Sequence, residues 1–299
     1  MANLDQNVDQ DELMADAILS QKENPGVLSL MLDNRAIFWG SSLLFVFVLV
    51  AIFAPLFTVD PVALNPMNRL KPPTAAAYFG TDFLGRDIFA RTVYGARISL
   101  VVGIAVAIIA ISIGLVLGLV AGYVRILDAV IMRTMDGLMS IPAILLAIAL
   151  ISLSGATLGT VIVAIVIPEV PRVVRLVRAV VLTVREEPYV EAAIAAGTKL
   201  PLILSRHILP NTIAPLIVQA TYVCASAMLT ESILGFLGAG IPPEIPSWGN
   251  IMSEGRTYFQ ISPWIIFFPG VALALTVLAV NIVGDGLRDT LDPRIARKM

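Results

Sequence analysis

The sequence predicts an all-α, polytopic membrane protein with six transmembrane helices. Three observations carry that expectation. Of its 299 residues 58% are hydrophobic, only 14% are charged, and apolar runs near 20 residues recur along the chain. Soluble domains carry about a quarter charged residues, and a helix of about 20 apolar residues crosses roughly 30 Å of hydrocarbon. The runs place spans at about 36–57, 99–120, 128–153, 158–180, 213–236 and 263–286. Fourteen of the 20 Lys and Arg residues fall on the side shared by both termini, which predicts cytoplasmic ends. The chain then divides into an N-terminal tail (1–35), a first helix (36–57), an external loop (58–98), a membrane core (99–287) and a C-terminal tail (288–299).

Residues 1–35 open with Asp5, Asp9, Asp11, Glu12 and Asp16. A secretory signal would open basic and turn apolar within a few residues, so this tail is not expected to be one. Leu13, Ala17 and Ile18 have the spacing of a short surface helix, and disorder is the equal alternative. The loop at 58–98 carries Pro61, Pro66, Pro72 and Pro73, which fix a backbone without donors. Gly80-Thr81-Asp82 and Gly85-Arg86-Asp87 follow, with Thr81 or Asp82 as the expected N-cap of the next helix.

In the fourth span Glu169 lies between Pro168 and Pro171, two prolines expected to kink or end the helix. Arg172 is within reach for a local ion pair, and the alternative is a lining of the cytoplasmic mouth. Glu231 sits beside Thr230 in the fifth span. A carboxylate in hydrocarbon must face the bundle interior, a partner or a water-filled path. It therefore either hydrogen-bonds two helices together or lines a translocation path. Asn281 and Asp285 in the sixth span read as helix-packing and helix-terminus groups. In the segment 239–262, which holds Pro242-Pro243 and Pro246-Ser247-Trp248-Gly249, Trp248 and Tyr258 read with Trp264 as rings at a headgroup boundary.

The inside loop at about 186–212 is the unusual polar-edged stretch. Pro188 suits a first helical turn, and Gly197 suits a left-handed helix end. Tyr189, Val190, Ala193 and Ile194 make one apolar face, and Pro201 and Pro210 open two further helical segments. Helices this short are marginal in water and rely on packing or a partner. Glu191, near the helix start, either stabilises the dipole or meets a partner's charge.

Several classes are excluded. The charge balance of 20 basic against 22 acidic residues shows no nucleic-acid footprint. Cys224 is the single cysteine, read as a buried inert thiol, and His207 is the single histidine, so neither a disulfide nor a Cys/His metal site is expected. No Gly-x-x-x-x-Gly-Lys-Ser/Thr phosphate loop is present, so ATP hydrolysis by that route is not expected of this chain.

Glu191-Ala192-Ala193, then Gly197, then a spacer to Leu209-Pro210 resembles the coupling loop of binding-protein-dependent ABC importer permeases. The general pattern has Ile where this chain has His207, and His207-Ile208-Leu209-Pro210-Asn211 is similar to the peptide branch. Phe79-Gly80-Thr81-Asp82, Gly85-Arg86-Asp87 and Tyr94-Gly95-Ala96-Arg97 resemble the external signature of the C-type permease of dipeptide, oligopeptide and nickel importers. Gly122-Tyr123, Asp128, Met132-Arg133 and Asp136 extend the likeness, as do Pro246-Ser247-Trp248-Gly249, Gly284-Asp285-Gly286-Leu287-Arg288-Asp289 and Leu291-Asp292-Pro293-Arg294. Together they cover about residues 50–295, and the acidic first 35 residues depart from the pattern.

The resemblance implies a type I ABC importer permease in a bacterial inner membrane, forming half of a path for peptides or a related small solute. It implies as partners a homologous B-type permease subunit, two cytosolic ATPases, an extracytoplasmic solute-binding protein and the lipid bilayer. No cofactor is implied on this chain; ATP and Mg belong to the ATPases. Glu191, Ala192, Ala193, Gly197, His207, Leu209 and Pro210 would then couple to the ATPases. Gly80, Thr81, Asp82, Gly85, Arg86 and Asp87 would form the external signature, with Glu169 and Glu231 on the path. Two other classes stay open: an ion- or proton-coupled transporter or channel using Glu169 and Glu231, and an intramembrane enzyme, which would need a nucleophile–base or metal cluster.

Overall fold

A computed structural model describes residues 35–291. The expectations for the N-terminal tail and for most of the C-terminal tail lie outside the described residues. Helix α1 (Arg35–Phe57) leads through an irregular connection into α2 (Ile88–Tyr123), α3 (Arg125–Met139), α4 (Ala143–Ser154) and α5 (Leu158–Val184). Two short helices, α6 (Pro188–Ala195) and α7 (Leu200–Ile203), precede a π turn at Leu204–Ile208 that runs into α8 (Leu209–Phe236). The short, largely buried helix α9 (Trp248–Arg256) and the long α10 (Trp264–Leu291) complete the fold. Apart from one 3₁₀ turn and two isolated β-bridges, the regular structure among the described residues is helical.

Helices α1, α2, α10 and the continuous α7–α8 are long and apolar enough to cross a membrane, and the bent α3–α4 pair makes a fifth such unit. The expected third span at 128–153 is therefore not one straight helix. It breaks by 88° at Ser140–Pro142. Pro142 disfavours helical geometry in Ile141 before it, and α3 itself carries Arg125, Asp128, Arg133 and Asp136, which hydrocarbon does not accommodate cheaply.

Helix α5 carries Glu169, Arg172 and Arg175 in what would be an apolar window, yet it packs against α2, α3, α4 and α8. It also runs as one helix through Pro168 and Pro171, so the expected stop does not occur there. The reason lies in packing. Gly114, Gly118 and Gly122 of α2 recur every four residues and meet Val173, Val177 and Val181 of α5, which do the same. A Cβ placed at Gly118 or Gly122 would lie 2.6 Å from the Cβ of Val177 or Val181. Small residues at this spacing let two backbones approach closely in a bilayer. The helix start is fixed by a reciprocal capping box between Thr157 and Thr160.

Helix α1 contains Pro55, which has no N–H for the carbonyl of Ala51 four residues back. Arg97 of α2 supplies the missing donor: its Nε bonds Ala51 O and its Nη2 bonds Ile52 O at 2.8 Å. The outer faces of α1 and α2 are apolar, with Phe45, Ile52 and Phe53 exposed on one and Val101, Ile104 and Ile108 on the other.

Residues 88–98, expected in the external loop, already belong to α2. The N-cap is Asp87, whose carboxylate accepts from Ala90 N at 2.9 Å, and neither Thr81 nor Asp82. Those two residues organise the connection instead. Trp248 also departs from expectation: it is fully buried, not at a headgroup boundary. Its indole N–H donates to Thr92 O at 2.9 Å, and the ring passes over Gly95, where a Cβ would stand 3.0 Å from it.

Candidate functional site

The loop between α5 and α8 is built from its ends inward. Pro188 stands in the first turn of α6, where a missing N–H costs nothing. At the other end Gly197 has φ +76°, Gly197 N donates to Ile194 O at 2.9 Å, and Thr198 N donates to Ala193 O at 3.1 Å. This is the paired bonding of a Schellman end, which needs the left-handed residue that glycine supplies. Of the expected apolar face, Val190 alone is fully buried; it joins Val184, Ile203 and Ile208 in the core cluster. Tyr189 and Ile194 are each 45% exposed, and Glu191, Ala192 and Leu202 are exposed beside them. A short helix, anchored by Val190 and ended at Gly197, thus offers an acidic group and apolar side chains to the outside.

His207 lies in the π turn that the sequence did not announce. Its carbonyl accepts from Asn211 Nδ2 at 2.6 Å, and the same amide lies 3.2 Å from Tyr189 Oη. His207, Asn211 and Tyr189 therefore tie α6 to the first turn of α8, where Leu209 and Pro210 also stand.

The two interior carboxylates are placed separately. Glu231 is fully buried. Ser99 of α2 donates to its Oε2 at 3.2 Å and Ser232 lies 3.4 Å from the same atom, so it bonds α8 to α2. Glu169 is 6% exposed, accepts from Ser226 of α8 at 2.8 Å and pairs with Arg172 at 3.1 Å, which is the expected local ion pair. Two more cations of α5 reach to α3: Arg178 clasps both oxygens of Asp128 at 2.5 and 2.7 Å, and Arg175 meets Asp136 at 2.6 Å. Asp285 of α10 accepts from Tyr222 Oη at 2.6 Å.

The signature residues of the first connection gather at the opposite end of α8. Gly80 and Gly85 both have φ +78°, and Thr81 Oγ1 accepts from Lys71 N at 2.9 Å. Asp82, fully buried, accepts at Oδ1 from Leu84 N and Arg86 N. Its Oδ2 takes Arg86 Nε at 2.6 Å and Arg91 Nη1 at 2.7 Å, and both arginines also bond Glu254 of α9. This four-charge cluster welds the connection, the start of α2 and α9 into one block. Arg91 and Glu254 escaped sequence reasoning, because nothing in the chain signals that positions 163 residues apart share an ion pair.

The comparisons with known proteins agree. A family model described as the binding-protein-dependent transport system inner membrane component matches residues 110–297. A probable peptide ABC transporter permease protein of Sinorhizobium fredii is 57% identical over 87% of this chain and 89% of its own length. A dipeptide transport system permease protein of Alkalihalophilus pseudofirmus is 47% identical over 88% and 87%. An oligopeptide transport system permease protein of Bacillus subtilis is 36% identical over 89% and 88%. Among solved structures, an inward-facing form of the MetNI methionine ABC transporter shares the fold, with a TM-score of 0.51, 20% identity, and coverage of 69% of this chain and 94% of that one. The chain belongs to the family of binding-protein-dependent transport system inner membrane components.

Proposed function

We propose that the chain is the C-type transmembrane subunit of an ATP-driven importer of dipeptides or oligopeptides. The observation that carries the reading is α6: an eight-residue helix anchored by Val190, ended by Gly197, and presenting Glu191, Tyr189 and Ile194 outward. A helix this short cannot stand alone, so an anchored, exposed one suits transmission of motion from a docked partner. The partners are two cytosolic ATPases, which hold ATP and Mg, together with a homologous B-type permease and an extracytoplasmic binding protein. Both termini and α6 face the cytoplasm of a bacterial inner membrane. The ionic block around Asp82 and α9 faces outward, because α8 separates it from α6 by roughly 40 Å at 1.5 Å per residue. The relatives' names support a peptide cargo.

The test is Glu191→Lys in the reconstituted complex. ATP hydrolysis should persist while peptide uptake collapses. Normal uptake by that variant would refute the docking role of α6.

A further inference from the structure

The exposed faces of the bundle are of two kinds. Those of α1 and α2 are apolar, as lipid requires. Helix α5 differs: Arg172 and Arg175 keep side-chain exposures of 53% and 45%, and Arg172 is more than half-way along a 27-residue helix. A cation held there cannot face hydrocarbon without cost, so this side meets water or protein. Helix α8 answers it with a polar stripe. Asn211, Gln219, Tyr222, Ser226 and Thr230 fall within about 100° of one helical face at 3.6 residues per turn. Ser226 joins the stripe to Glu169 and Arg172 on one flank, and Tyr222 joins it to Asp285 of α10 on the other.

At the α6 end this stripe opens into a groove of about 570 Å³ between α5, α8 and α10. Small-molecule sites are usually of roughly 300–1,000 Å³. Leu176, Val218 and Leu291 give it apolar walls, and Asn211, Gln219 and Arg288 give it polar ones. Arg288 and Asp285 are both exposed on the last turns of α10, and Arg172 stands one turn from Leu176 on α5. The groove therefore offers the Arg288 cation and two amides around an apolar floor, with Asp285 three residues before Arg288 on α10 and bonded to Tyr222. That combination matches a short peptide with a free carboxylate at one end and an ammonium at the other.

We propose that this groove is a transit station for zwitterionic peptides. Arg288, with Arg172 beyond it, receives the carboxylate, and Asp285 receives the ammonium. Tyr222 and Glu169 hold the charged groups in place. The assignment rests on the import reading above and adds the residues that meet the cargo on its way through.

The experiment uses the full complex with its partner permease, ATPases and binding protein in proteoliposomes. Gln219→Cys in a Cys224→Ser background reports on the groove through modification by a charged thiosulfonate reagent. Dialanine should slow that modification several-fold, and N-acetyl-dialanine amide should not. Arg288→Gln should weaken the protection and lower dialanine uptake per ATP hydrolysed by roughly tenfold or more, the loss of one charge-assisted contact. Arg288→Lys should keep most of both. Equal protection by the two peptides, or full uptake by Arg288→Gln, would overturn the station and leave the importer standing. So would a thiol at 219 that reacts in the isolated chain and not in the complex, because the partner permease would then fill the groove. A parallel fall in ATP hydrolysis and uptake in Arg288→Gln would make it an assembly residue and overturn the station too. A complete complex that carries no peptide would refute the importer reading itself.

Discussion

Gly118 of α2 and Val177 of α5 stand so close that a Cβ at 118 would lie 2.6 Å from that of Val177. The same fit recurs one turn away on either side, at Gly114 with Val173 and Gly122 with Val181. It holds the charge-bearing α5 against the 36-residue α2. Gly118→Leu should therefore prevent stable folding, whereas Gly118→Ala should cost about 1–3 kcal/mol by overpacking. Adding Val177→Gly to Gly118→Ala removes that Cβ and its branches and should recover part of that loss, measured as the unfolding midpoint in detergent. Loss that adds in the double variant would mean the two residues do not share this contact.

Arg97 supplies the donor that Pro55 withholds from Ala51. Arg97→Met keeps the apolar stem and removes the donor, leaving a carbonyl unmet where little water reaches. A destabilisation of about 1–3 kcal/mol is expected. Introducing Pro55→Ala into that variant should restore part of it, because the backbone N–H returns. Unchanged stability of Arg97→Met would argue that another group satisfies Ala51.

Breaking the outer ionic block should be more damaging. Glu254→Gln leaves two buried arginines sharing Asp82 alone, and removal of one partner from such a cluster costs about 3–5 kcal/mol. The expected signature is faster hydrogen exchange and protease cleavage between residues 58 and 87, with α5 and α6 unaffected. Uniform loss of protection across the molecule would contradict a local weld.

Gly197→Val should disturb the exit from α6. A Cβ there meets no atom within 4 Å, so the penalty comes from φ +76° alone, about 1–2 kcal/mol. Uptake should fall in step with ATPase binding, and Gly197→Asn, which tolerates that conformation better, should be milder. Equal effects of the two substitutions would show that φ is not the cause.

Sidedness is checked by thiol labelling at Glu244→Cys in a Cys224→Ser background. Glu244 is exposed in the connection before α9, whereas the neighbouring Ser247 is fully buried as its N-cap and would report nothing. Labelling from outside the cell is expected; labelling only from the cytoplasm would invert the topology.

The helical class, the two ends of α6, the local Glu169–Arg172 pair and the short segment opened by Pro201 were legible in the chain, because each depends on neighbours in sequence. Apolar run length sets a span, proline and glycine set helix ends, and a carboxylate three residues before an arginine sits on its face. The family likeness was legible for the same reason, being a string of short motifs.

Other features depended on distant residues. The bend at Pro142 turned on whether the polar face of α3 found partners, which Arg175 and Arg178 supply. The persistence of α5 through two prolines, the burial of Trp248 over Gly95, and the role of Asp82 as a charge hub in place of a cap came from packing across tens to hundreds of residues. The sequence alone determined an apolar helical chain with a capped polar loop. Only the tertiary structure decided which helices touch, because close backbone approach and buried charge pairing are properties of surfaces brought together, not of neighbours along the chain.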